Sequence, residues 1–282
     1  VALRSSLYKT PVQLRAMIAP GLATAASLDA VRAAIRPGIT TLELDAIAEA
    51  AIIERGGHSN FQLVPGYRHT ICASVNDEVV HGIPGDRVLE PGDIVSIDSG
   101  AEIDGWNGDS AMTLVLPDPA GQHEEVAARL ELSRVTEGSL WRGIAALASA
   151  RHLNEVGAAI EGYVEDEAER TGRVYGILTD YIGHGIGRSM HEAPPVFNYR
   201  VRQRGPEAKP GLVVAIEPMV TAGGAETVVR ADEWTVATED GTAAAHWEHS
   251  VAVHSDGIWV TTLADGGAAG LAQYGIVPTP IA

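Results

Sequence analysis

The chain has 282 residues, 45% of them apolar and 20% charged, the make-up of an ordinary globular protein rather than a fibrous or disordered one. Twenty Lys and Arg against 37 Asp and Glu leave a net charge of −17, which repels nucleic-acid phosphates and anionic lipid and excludes a basic-groove function. With Cys72 the single cysteine, no internal disulfide can form, which fits a reducing compartment.

Neither Val1 to Thr10 nor any later window holds an apolar run of signal-peptide or membrane-spanning length, so the expected setting is cytoplasmic. Pro11 to Ile35 reads as helix, with Pro11 at the first position and Leu14, Met17, Ile18 and Leu22 at three- and four-residue spacing. Pro37-Gly38 ends it. A second helix starts near Thr40 or Thr41, carries Leu44, Ile47, Ala48, Ala51 and Ile52 on one face and stops at Gly56-Gly57. From Ile71 to Leu116, Val- and Ile-rich segments cut by Gly, Pro, Asn and Asp predict antiparallel strands. Helical periodicity returns between His123 and Arg170, and strand patterning resumes from Tyr175 to Thr262. The Gly-, Ala- and Pro-rich stretch from Ala264 to Ala282 reads as a loosely packed tail.

The order helix, sheet, helix, sheet has an internal echo. Pro91 to Asp98 aligns with Pro210 to Glu217 at an offset of 119 residues. Leu28, Ile35, Leu42 and Leu44 fall on Leu140, Leu147, Asn154 and Val156 at an offset of 112, with apolar character kept at three of the four. Two similar halves follow, each with helices covering one face of a sheet. Their equivalent strands end in Asp98 and Glu217 and are expected to meet where the halves join, a usual place for a site. No long linker separates them, so residues 1–282 are expected to form one integrated domain, with a core from about 9 to 263 and a tail over 264–282.

Asp104-Gly105 is a two-residue hairpin signal, because both turn positions require positive φ. Pairing Ile103 with Trp106 sets Asp98 opposite Ala111 and diagonal to Asp109, so both carboxylates project from one face about 7–8 Å apart or less. An isolated pair of this kind also fits a solvated face. Here Asp98 ends an apolar strand, Glu217 holds the repeat-equivalent place, and Glu248 opens a further strand. Four acids at the ends of buried strands need a cation between them. Oxygen ligands with imidazole suit Mn, Fe, Co or Zn. The imidazole candidates are His81, His184 between two glycines, and His191. The remaining seven histidines read as hydrogen-bonded surface or core residues, and Cys72 as a small packing residue. No His-Glu-x-x-His, cysteine pair or nucleotide-binding glycine loop occurs.

Taken together, Ser74 to Pro84, the Asp98 and Asp109 hairpin, Gly183-His184-Gly185-Ile186-Gly187, Ile216-Glu217-Pro218-Met219 and Glu248-His249 resemble the type I methionine aminopeptidases, from about Lys9 to Thr262. The resemblance implies an α+β pita-bread fold, two pseudo-symmetric halves of antiparallel sheet covered by helices. The interval between Glu217 and Glu248 leaves no room for the helical insertion of type II enzymes. The short N-terminus holds no Cys/His zinc-binding extension, as in the compact bacterial form.

The same resemblance implies two divalent metal ions, with Asp98 on one, His184 and Glu217 on the other, and Asp109 and Glu248 bridging. It implies that His81 and His191 contact the scissile peptide, and that Tyr67, Cys72, Trp234, Phe61, Val64 and Met190 line a methionine pocket. The implied reaction is removal of N-terminal methionine before a small second residue, with Glu217 moving the proton. Partners would be the N-termini of nascent polypeptides, with transient contact to the ribosome; a monomer is expected, with no nucleic-acid or membrane partner. Two rivals stand beside this reading. One is an Xaa-Pro aminopeptidase or prolidase-like dimetal peptidase, whose additional N-terminal domain has no room before Thr10. The other is a non-catalytic pita-bread binding protein, against which the five intact ligand types count.

Overall fold

In the computed structural model, which describes residues 7–121 and 123–282, Thr10 opens the first helix with a capping box. Its hydroxyl accepts from the Gln13 amide, and the Gln13 side chain accepts from the Thr10 amide. Val1 to Ser6, part of the stretch read for a signal segment, lie outside the described residues. The single helix expected over Pro11 to Ile35 is two: α1 (Pro11–Ala16) and α2 (Ile18–Ala34), parted at Met17. Pro20 causes the break, since it has no amide hydrogen and its ring crowds the carbonyl four residues back, at Ala16.

α3 (Thr41–Glu54) starts on a second capping box. Thr40 Oγ1 accepts from the Glu43 amide at 3.2 Å and Glu43 Oε2 accepts from the Thr40 amide at 2.8 Å. Thr40→Ala is therefore expected to lower the unfolding free energy by about 1 kcal/mol, measured as a lower urea midpoint at constant slope. An unchanged midpoint would remove the cap from the account.

Among the strands that follow are β1 (Ile71–Val75), β2 (Ile94–Ile103) and β3 (Trp106–Val115), and after them come α4 (His123–Leu147) and α5 (Asn154–Thr171). The second half supplies β4 (Gly183–Gly185), β5 (Val213–Ile216) and β6 (Glu248–His254). They join one nine-stranded sheet whose central order is β2-β3-β6-β5-β4, with β1 on β2. Its pairings are antiparallel. The β2-β3 hairpin turns at Asp104 (φ 54°) and Gly105 (φ 73°) and pairs Asp98 with Ala111 and Gly100 with Asp109, the register expected from the turn.

The halves meet where β3 lies beside β6, with Ala111 opposite Glu248 and Ser110 opposite His249. The repeat is visible in backbone detail. Gly92 and Gly211 share a left-handed conformation, φ 85° and 100°, which favours glycine at both places. Leu116 donates its amide to the Asp93 carbonyl at 2.8 Å, and Val253 donates to the Leu212 carbonyl at the same distance; Asp93 and Leu212 are one repeat apart. Leu28 and Leu44 pack against Val95, Ile97 and Met112, while Leu140 and Val156 pack against Val214, Ile216 and Val251. Leu42, the position where the repeat loses apolar character, is 43% exposed and so carries no packing requirement.

Because side chains alternate along a strand, burying Val95, Ile97, Met112, Val214, Ile216 and Val251 against the helices turns Asp98, Asp109, Glu217 and Glu248 to the opposite face. The tail departs from expectation: Ala268–Leu271 is a helical turn, and Leu271 is fully buried in the cluster that contains Trp141 and Ile144. Thr279 donates its amide to the Ile258 carbonyl. Small residues permit this docking, since Gly270 lies directly on the Trp141 ring where a Cβ would collide. No helix of the described residues is long and apolar enough to cross a membrane.

Candidate metal centre

On the face away from the helix pairs, a cavity of about 520 Å³ gathers all thirteen residues singled out in the sequence: Asp98, Asp109, His184, Glu217, Glu248, His81, His191, Phe61, Val64, Tyr67, Cys72, Met190 and Trp234. Asp98 and Asp109 come from the first hairpin. Glu248 begins β6 opposite Ala111, Glu217 lies one residue beyond β5, and His184 sits mid-β4 opposite Ala215. Ligand-type atoms of Asp98, Asp109 and Glu248 lie within 4.8 Å of one another, as do those of His184, Glu217 and Glu248, and those of Asp109, His184 and His191. Glu248 and Asp109 thus each belong to two overlapping groups.

The electrostatics require positive charge. Asp109 and Glu248 are buried, and Asp98 Oδ1, Asp109 Oδ1 and Glu248 Oε1 have no hydrogen-bond partner. Among the described residues no Lys or Arg pairs with any of the four acids. Burial pushes the Asp98 carboxyl up to about 7. Burial, and then the neighbouring carboxylates, push Asp109, Glu217 and Glu248 well above the usual carboxylate range.

His184 carries the same message. Its Nδ1 donates to the Gly185 carbonyl at 3.0 Å, because a carbonyl only accepts, so Nε2 holds a lone pair. That lone pair faces Glu217 Oε1 at 3.3 Å and Asp109 Oδ2 at 3.9 Å. Burial holds the ring neutral, with its pKa near 4. Lone pairs facing one another need a cation between them, and a backbone carbonyl behind the ring is a usual support of a ligating histidine. The residues present fit divalent metal.

Beside this centre the cavity turns apolar. The Tyr67 hydroxyl donates to the Ile71 carbonyl at 2.6 Å and lies 3.3 Å from Cys72 Sγ, and burial keeps the thiol protonated. Tyr67 meets Phe61 and Trp234 edge to face, with ring centroids 6.2 and 5.1 Å apart. Val64, Ile83 and Met190 pack on the same cluster. His191 stands edge-on to His184 at 4.4 Å, and His81, held at φ 60°, stands edge-on to Tyr181 at 5.7 Å. A non-glycine residue held there is a strained backbone that surrounding structure must enforce.

A profile of metallopeptidase family M24 matches residues 15–255. The chain belongs to metallopeptidase family M24. Within that family, methionine aminopeptidase 1 of Mycobacterium tuberculosis is 48% identical over 252 residues, 89% of this chain and 92% of that protein. The crystal structure of methionine aminopeptidase from Rickettsia prowazekii matches with a TM-score of 0.82 at 33% identity, covering 91% of this chain and 99% of that one. A prolidase from Pyrococcus furiosus, of which this chain spans 65%, shares the fold with a TM-score of 0.68 at 18% identity. The M24 chain therefore has the pita-bread fold, is a member of the methionine aminopeptidases and uses divalent metal.

Among the cavity residues of this M24 member that the sequence did not single out are two that bear polar groups beside the acids and imidazoles, His246 and Tyr181. The sequence reading counted His246 among the seven non-ligand histidines. The signal for His246 was its place two residues before Glu248, since alternation puts both on one face. Tyr181 lies between the strands Gly176–Ile177 and Gly183–Gly185, where periodicity says nothing.

Proposed function

We propose that the chain is a cytoplasmic metallo-exopeptidase that removes the N-terminal methionine from nascent proteins and peptides, preferring a small second residue. The two halves act as one catalytic domain, a monomer that meets its substrates in transient contact with the ribosome and has no nucleic-acid or membrane partner. The observation that carries the reading is the pair of overlapping acid groups around orphaned oxygens, opening on an apolar aromatic pocket.

Asp98 would hold one divalent ion, His184 and Glu217 a second, with Asp109 and Glu248 shared between them; Mn, Fe, Co and Zn all suit the donor set. When bound, the ions supply Lewis acidity that acidifies water and a docking point for a free α-amino group. Glu217 accepts the water proton and returns it to the departing amine. His191 and His81 donate hydrogen bonds to the peptide and to the charge that develops on its carbonyl oxygen. Tyr67, Cys72, Trp234, Phe61, Val64 and Met190 exclude water and receive the unbranched, polarizable methionine side chain.

Hydrolysis of Met-Gly-Met, compared with its acetylated form and with Met-Pro and Xaa-Pro peptides, tests this directly. The expected result is turnover of Met-Gly-Met alone, abolished by chelator and restored by divalent metal. Cleavage of the acetylated peptide, or preference for Xaa-Pro bonds, would overturn it.

A further inference from the structure

Glu217 presents its two carboxylate oxygens to different imidazoles. Oε1 lies 3.3 Å from His184 Nε2, and Oε2 lies 3.8 Å from His246 Nε2. His246 is 2% exposed, and its Nε2 is buried without a hydrogen-bond partner. A polar atom so placed is retained against a cost unless a partner engages it. The backbone that carries the ring is pinned: the His246 amide donates to Thr113 Oγ1 at 2.9 Å and Ser96 Oγ at 3.2 Å, and its carbonyl accepts from the Thr113 hydroxyl at 2.7 Å.

The internal repeat supplies a second, independent observation. Ile97 pairs with Met112 in the first half and Ile216 with His249 in the second, so Ala111 corresponds to Glu248 and Asp109 to His246. In the first half Asp109 stands against Asp98, which lies mid-strand because β2 runs on to Ile103 rather than ending there as the sequence suggested. In the second, His246 stands against the strand-end carboxylate Glu217. The fold puts a group at this position in each half and aims it at the carboxylate of its own half.

We propose that His246 is a positioning residue that donates a hydrogen bond from Nε2 to Oε2 of Glu217, orienting the oxygen that moves the proton. The inference rests on the reading of Glu217 given above. The terminal torsion of a glutamate is broad, so a carboxylate anchored only through Oε1 leaves Oε2 free to swing.

His246→Phe keeps the ring and removes the donor. His246→Gln replaces the ring and keeps a donor at similar reach. The expected result is a kcat for Met-Gly-Met lowered about 10- to 100-fold in the Phe variant, with KM and the calorimetric affinity for Mn²⁺ unchanged, and most of the activity recovered in the Gln variant. Should the Phe side chain not be accommodated, His246→Ala makes the same comparison. Normal kcat in the variants lacking the donor, a Gln variant as slow as they are, or a loss of kcat matched by a loss of Mn²⁺ affinity would each overturn the inference. A native enzyme inert toward Met-Gly-Met would overturn the functional reading itself, and is told apart by measuring the native chain first.

Discussion

Glu217→Gln is expected to lower kcat for Met-Gly-Met by about 10²- to 10⁴-fold in metal-replete buffer, the range for loss of a positioned proton-transfer group. The substitution keeps the shape of the side chain and removes its charge and basicity. Asp109→Asn is expected to lose at least as much. Asp109 belongs to both the Asp98-Glu248 and the His184-His191 groups, so neutralising it weakens both sides of the centre at once. Cys72→Ala is the contrast, because the thiol lines the apolar side and stays un-ionised; its effect should fall on KM. Metal content of each variant, measured beside its kinetics, separates the roles. A Glu217→Gln protein that loads metal and turns over at near-native rate would remove Glu217 from the chemistry.

Stripping the metal is expected to invert the pH dependence usual for a protein rich in carboxylates. In the metal-free protein burial moves the Asp98 carboxyl from its ordinary 3.8 up to about 7, and raises Asp109, Glu217 and Glu248 as well. Between ordinary and raised values the folded chain binds more protons than the unfolded chain, so stability falls as pH rises. Buried histidines held neutral, His184, His246 and His249 among them, act in the opposite sense below their ordinary value of 6.5, so the thermal midpoint of chelator-treated protein should drop above that value, between about pH 7 and pH 8. Divalent metal should restore it at pH 8 and release protons on binding, seen as a buffer-dependent enthalpy. Asp98→Asn should flatten the metal-free slope. A metal-free midpoint that climbs between about pH 7 and pH 8, with no difference in that variant, would remove the uncompensated acids from the account.

Local rules accounted for much of this molecule before any coordinates. The Asp104-Gly105 turn determined a register, and the register put Asp98 and Asp109 on one face, because a two-residue turn leaves no freedom in pairing. The repeat around Gly92 and Gly211 likewise announced equivalent strands. Where the reading failed, a specific cause is visible. Pro20 acted on a carbonyl four residues earlier and split a helix that periodicity alone made continuous. The tail was judged by its composition, yet Leu271 is buried in the cluster with Trp141 and Ile144, an apolar surface that exists only after α4 has packed.

The sequence by itself thus determined which residues could bear charge and metal, the capping of helices, and the alternation that separates a helix-facing side from an acidic side. These depend on neighbours a few residues apart. Tertiary structure alone decided that β4 delivers His184 to Glu217, that β3 and β6 bring Asp109 to Glu248 across 139 positions, and that His246 aims its free nitrogen at Oε2. Burial is non-directional, so chain order can state that apolar strands will be covered but not which polar atoms the covering leaves face to face.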